Sequence, residues 1–107
     1  VSKELTTDTF DTTISKSGVV VVDFYAVWCG PCKIYYPVLE KVAQELSIPL
    51  YKLNIETEPT IAQRYGMRSV PTTIIFKDGI LKATVIGSRP AHEIKTILEA
   101  AMKETKE

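Results

Sequence analysis

Cysteine is scarce in this chain: 107 residues hold two, with a single histidine. Two cysteines cannot build the disulfide framework of a small secreted scaffold. They also fall short of a structural zinc site, which takes four ligands, and His92 lies sixty residues beyond Cys32; no metal is expected. Net charge is lacking too. Thirteen basic side chains face thirteen acidic ones. That leaves no basic stripe for the phosphates of a nucleic acid and no polybasic anchor for an anionic membrane. Long apolar runs are missing. Stretches such as Val19 to Val22 are far shorter than the roughly 20 residues of a membrane span. No apolar segment with a basic flank opens the chain, so no secretory signal is expected and a cytoplasmic setting is. The chain does start at Val1 rather than Met, which leaves room for a leader removed before it. Repeats, linkers and low-complexity segments are absent, and the length suits one domain over residues 1–107.

What is present is core material, 45% of the residues. Residues 1–5 are a polar lead that could add a small edge strand. Thr6 or Thr7 should cap a short helix carrying Phe10 and Ile14 four apart, with Asp8 in its first turn. Residues 19–25 form the strongest strand signal, β-branched and apolar on both faces, as in a strand covered on each side. Asp23 breaks that pattern. Over 31–46, Tyr35, Val38, Leu39, Val42, Ala43 and Leu46 recur at helical spacing. Pro31 suits the first turn, whereas Pro37 should kink the helix. Residues 50–55 read as a strand, which completes a right-handed parallel βαβ unit. Thr57 or Glu58 should cap the next short helix, opened by Pro59 and closed by Gly66. Residues 72–77 and 80–86 make a hairpin about Asp78-Gly79. A last helix spans 91–103, with Ile94, Ile97, Leu98, Ala101 and Met102 on one face, and the charged residues after it should fray. The expected class is α/β: a mixed sheet of four to five strands with about four helices on both faces.

The two cysteines stand in Trp28-Cys29-Gly30-Pro31-Cys32-Lys33, where a strand ends and a helix begins. Thiol–disulfide exchange needs one thiolate to attack and a second thiol to release the product. Cys29 lies just before the helix, where unpaired N–H groups and the positive end of the helix dipole stabilise a thiolate. Cys32 lies in the first turn on the same side. Cys29, at the tip, is therefore the expected nucleophile, and Cys32, screened by the helix, the expected resolving thiol. The bland alternative is half a metal site or a stabilising disulfide.

The stretch Val22-Asp23-Phe24-Tyr25-Ala26-Val27-Trp28-Cys29-Gly30-Pro31-Cys32-Lys33 resembles the active-site signature of the thioredoxin family. Further landmarks follow in order: Pro37, Lys52-Leu53-Asn54-Ile55, Tyr65-Gly66-Met67-Arg68, Val70-Pro71-Thr72, Phe76-Lys77-Asp78-Gly79 and Gly87. The resemblance implies a thioredoxin fold and a protein-disulfide reductase of cell redox homeostasis. It implies disulfide-containing protein substrates, a thioredoxin reductase as electron donor, a monomer, and no cofactor beyond a redox-active Cys29–Cys32 disulfide.

It also implies roles for the supporting residues. Asp23 is either an exposed strand end or a buried carboxylate, raised in pKa by desolvation, that takes the Cys32 proton; the resemblance favours the second. Lys52 matches the family lysine near that carboxylate, although a solvated strand lysine explains it as well. Val70-Pro71 reads as an ordinary turn, but the resemblance implies a cis bond facing the dithiol that lets Val70 pair with an extended substrate. Trp28 is either core or an apolar contact for substrates, with Gly30 and Pro31 beside it and Gly66, Gly87 and Ala26 allowing close approach. Tyr25 stands where the family commonly has tryptophan, which should alter packing more than chemistry. Tyr36 is bulky for its place; it either shapes the surface near the site or, as the plainer reading, packs in the core or at the rim. His92 receives no role. Two rival functions remain open: a disulfide oxidase or isomerase on the same fold, although Gly30-Pro31 resembles the reducing members, and a binding module that never turns over.

Overall fold

A computed structural model describes residues 3–104; residues 1–2 and 105–107, including the charged tail expected to fray, lie outside the described residues. The elements run α1 (Thr7–Ile14), β1 (Val19–Tyr25), α2 (Gly30–Leu46), β2 (Leu50–Asn54), α3 (Pro59–Arg64), β3 (Thr72–Lys77), β4 (Ile80–Ile86) and α4 (Ala91–Lys103). The sheet order is β2-β1-β3-β4. β1 pairs parallel with β2 and antiparallel with β3, and β3 pairs antiparallel with β4.

The central strand explains the layering. Its side chains alternate between faces, and both faces are buried. Val19 and Val21 join Tyr35, Leu39 and Val42 of α2 and Ile94 and Leu98 of α4 in one core. Val20, Val22 and Phe24 join Phe10 of α1, Ile61 of α3 and Phe76 of β3 in the other. Phe10 is the hub of the second core, with ring centroids 6.0 Å from Phe76 and 5.8 Å from Tyr65, both in tilted or edge-on contact.

Local chemistry fixes the element ends. Thr6 caps α1 through a reciprocal pair with Thr9, in which each side chain accepts from the other's backbone N–H. The hairpin turns on Asp78 and Gly79, both at positive φ (53° and 82°), as a two-residue turn matched to the twist of its strands requires. Asp78 also accepts from Gly18 N–H at 2.8 Å, which ties the turn to the start of β1.

Several expectations need correction. α2 starts at Gly30, one residue early, and β2 ends at Asn54, one residue short. The lead segment contributes a single parallel bridge, Glu4 to Lys52, rather than a strand. Glu58 takes the N-cap position of α3, as expected, but its side chain makes no cap hydrogen bond there. The Glu58 carboxylate instead accepts from the N–H and hydroxyl of Thr7, at 2.7 and 2.9 Å, so it serves the orphan donors of α1. Met102 turns outward, 43% exposed. Pro37 lies inside α2, as expected.

Candidate active site

α2 begins at the cysteines because Cys29 takes the N-cap position. Its backbone is extended (φ −88°, ψ 104°), and its sulfur accepts from the backbone N–H of Cys32 at 3.2 Å. A cysteine thus fills the place usually held by Ser, Thr, Asp or Asn, and a helix-start donor already points at the Cys29 sulfur. The Cys29 N–H is bonded to the Ala26 carbonyl at 3.1 Å, which anchors the turn to the end of β1. The two cysteines form a disulfide, with Cα atoms 5.3 Å apart.

The expected contrast in exposure is absent. Cys29 is 3% exposed and Cys32 4%, so neither sulfur stands clear at the tip. The contrast lies instead in what each cysteine adjoins. A cavity of about 360 Å³ opens beside α2, lined by Asp23, Cys32, Lys33, Tyr36 and Lys52 among others. Cys32 borders it and Cys29 does not.

Asp23 closes the inner end of that cavity. It is 1% exposed, which settles the choice between a strand-end carboxylate and a hidden one. Among the described residues its Oδ1 has no hydrogen-bond partner. Burial pushes the carboxyl up from 3.8 to about 7, against the smaller opposing pull of the Lys52 charge. Lys52 is the direct partner of Asp23 across the parallel β1–β2 pair, so both side chains leave the same face of the sheet.

The rim collects the other expected residues. Trp28 is 67% exposed, not core, and its Nε1–H donates to the Glu56 carboxylate at 2.8 Å. Gly30 and Pro31 are exposed beside it. The Val70–Pro71 bond is cis, as the resemblance implies. Val70 packs against the cluster of Ala26, Cys29 and Cys32, so the fold does bring residue 70 to the dithiol. The Gly87 N–H donates to the Pro71 carbonyl at 2.9 Å, with Gly87 at φ 83°. Ala26 is 1% exposed and forms the floor rather than the surface. Gly66 lines a separate hollow with Ile55, Met67 and Arg68. His92 is exposed in the first turn of α4.

Two features escape the sequence. Glu56 follows β2 and carried no signal of its own. Val27, next to Trp28 in the chain, and Ile34 in α2 are further exposed apolar side chains, 58% and 76% exposed. Tyr36 lines the Asp23 cavity, which agrees with the reading that it shapes the surface near the site. Its spacing of four from Cys32 on a helix places the two on one face, a clue available in the sequence.

A dithiol-disulfide at a helix start, with a buried carboxyl raised toward neutrality in the adjoining cavity, can exchange electron pairs with another disulfide. Fold and site together therefore define a thiol–disulfide oxidoreductase.

Comparison with known proteins agrees. A family model, Thioredoxin, matches residues 1–100. "Thioredoxin 1" of Synechococcus elongatus is 39% identical over 102 residues, covering 92% of this chain and 95% of that protein. The thioredoxin of Listeria monocytogenes is 38% identical over 98 residues, covering 90% and 94%. Among solved structures, a mutant thioredoxin from Halobacterium salinarum superposes with a TM-score of 0.88 at 30% identity, over 99% of this chain and 98% of that one. The chain belongs to the thioredoxin family. It is a protein-disulfide reductase that works by dithiol–disulfide exchange and is recharged by a reductase.

Proposed function

We propose that Cys29 is the nucleophile, Cys32 the resolving thiol and Asp23 the proton acceptor. The observation that carries this division is that the cavity holding Asp23 borders Cys32 alone of the two cysteines. In the reduced protein the Cys29 thiolate, favoured by the Cys32 N–H and the helix start, attacks one sulfur of a substrate disulfide. A Cys29–substrate disulfide forms and the other substrate sulfur leaves as a thiolate, which takes a proton from water. Cys32 then gives its proton to the Asp23 carboxylate, directly or through one water. The Cys32 thiolate attacks the Cys29 sulfur, the Cys29–Cys32 disulfide forms, and the second substrate sulfur leaves. Two electrons have passed from the dithiol to the substrate, and Asp23 returns its proton to solvent. Lys52 supports the transfer by balancing charge on Asp23.

Trp28, Gly30, Pro31, Val70, Pro71 and Gly87 form the docking surface for an extended, disulfide-containing protein segment. The electron donor is a thioredoxin reductase that docks on the same rim. The dithiol itself carries the electrons, so no bound cofactor is invoked. Among the described residues no group of three or more His, Cys, Asp or Glu side chains is gathered as metal ligands. No helix there is long and apolar enough to cross a membrane. The protein acts as a monomer in the cytoplasm, where a reducing partner can keep the dithiol charged.

Insulin reduction with dithiothreitol as electron source tests the roles. Wild type accelerates it, Cys29→Ser does not, and Cys32→Ser accumulates substrates as mixed disulfides on Cys29. Equal activity in Cys29→Ser, or trapping on Cys32 in place of Cys29, reverses the assignment. Equilibration with glutathione that shows an oxidising couple would make the protein an oxidase instead.

A further inference from the structure

The Asp23 cavity is also lined by Tyr25 and Tyr36, which the reaction as written does not use. Lys52 reaches it from β2, but its ammonium does not bond to the open Oδ1 of Asp23. It lies over two aromatic faces, 5.6 Å from the Tyr25 ring centroid and 5.1 Å from that of Tyr36. Both distances are within the range where a ring quadrupole attracts a cation. Tyr25 is fixed in turn, since its hydroxyl donates to the Glu4 carboxylate at 2.7 Å. Tyr36 stands four residues after Cys32 on α2 and is half-buried at the cavity wall. We propose that the Tyr36 ring is a positioning element of the proton-transfer site: with Tyr25 it holds Lys52 at the cavity mouth and keeps bulk water from Asp23, so that Asp23 can accept the Cys32 proton. This rests on Asp23 being the proton acceptor.

The groups around Asp23 decide the direction of the effect. β1 contributes Tyr25 and β2 contributes Lys52. α2 contributes Cys32, Lys33, Tyr35 and Tyr36, with Glu40 beyond the Tyr36 ring and Glu4 beyond Tyr25. From β3 the paired residue is Thr73, which does not titrate. Tyr36 is itself held neutral, its phenol pushed up to about 12 chiefly by burial. The ring therefore acts as an apolar wall and a quadrupole, not as a charge. Removing it lets water in, which weakens both influences on Asp23: the desolvation that raises the carboxyl and the Lys52 attraction that lowers it. Desolvation is the larger of the two. The carboxyl must then move down, toward an ordinary aspartate.

The test is an NMR titration of the Asp23 carboxyl in oxidised wild type, Tyr36→Phe and Tyr36→Ala, together with the pH profile of mixed-disulfide resolution in the reduced proteins. Tyr36→Phe keeps the ring and should match wild type in both. Tyr36→Ala should lower the carboxyl midpoint by about one unit, the scale expected when a buried carboxyl regains water, and the acid limb of the resolution profile should move down with it. Amide spectra of both variants check that the fold is kept. A wild-type midpoint in Tyr36→Ala overturns the proposal, as does a Tyr36→Phe midpoint displaced as far as that of Tyr36→Ala. Asp23→Asn resolving at the wild-type rate would overturn the role of Asp23, a result read separately from the carboxyl midpoint that decides the role of Tyr36.

Discussion

Replacing Asp23 by Asn should stabilise the oxidised protein, and the gain should depend on pH in one particular sense. The carboxyl sits at about 7 in the folded chain because burial disfavours its charge, against 3.8 when unperturbed. The folded state therefore holds this proton where the unfolded state has released it. Between those two values the folded state binds more protons, so stability falls as pH rises through the window. Below about pH 4 the side chain is neutral in both states and the penalty vanishes; above pH 7 it is fully present. A gap of about three pKa units corresponds to about 4 kcal/mol. Asn has a similar shape and no charge, so it escapes this cost at every pH. The measurement is urea unfolding of wild type and Asp23→Asn from pH 3.5 to pH 8.5. Carboxylates common to both proteins cancel in the difference. The variant should gain on wild type by roughly 2–4 kcal/mol between the two ends of the range, most of it between pH 4 and pH 7. A difference that stays flat with pH, or that widens toward acid, refutes the buried-carboxylate account of Asp23.

Three further outcomes follow from the same geometry. Trp28→Ala removes an exposed side chain, so it should change stability by no more than about 0.5 kcal/mol; it should raise KM for a protein disulfide several-fold while sparing a small disulfide substrate, as steady-state assays would show. Leu39→Ala opens a cavity where a side chain only 1% exposed fills the core between α2 and the sheet; urea unfolding should show a loss of about 3 kcal/mol with activity kept at low temperature. Thr6→Ala deletes the side-chain half of the α1 capping box and should cost about 1 kcal/mol in the same assay, with no effect on insulin reduction.

The fold was legible in the sequence because each element carried its own period and its own punctuation. Residues 19–25 were apolar at every position but one, and that is how a strand covered on both faces must read. Asp78-Gly79 permitted only a tight reversal, so β3 and β4 had to pair antiparallel. A side chain whose partner lies far away in sequence escapes any local pattern. Glu58 was read as a cap for its own helix, yet its carboxylate reaches back to Thr7, fifty-one residues away. Met102 shares the spacing of the buried face of α4, but it falls in the last turn and is 43% exposed.

The site shows the same division at finer scale. That Cys29 and Cys32 act as a pair was visible in their spacing, since three residues at a helix start bring both sulfurs together. That they differ was also visible, but the reason offered was exposure, and at 3% and 4% exposure does not separate them. Two features of the fold do. One is backbone: a residue at the N-cap receives a donor N–H, here from Cys32, whereas a residue inside the first turn does not. The other is tertiary: β1 delivers Asp23 to the cavity beside α2, and helical spacing brings Cys32 and Tyr36 to that same cavity. The first is legible in the sequence, where Cys29 lies just before the helix and unpaired N–H groups face its sulfur. The second required the crossing of α2 over β1, a contact no local pattern specifies. It follows that the attacking thiol is set by local chain geometry and the resolving thiol by packing. Changes in the cores that tilt α2 against the sheet should therefore alter the resolving step before they alter the attack.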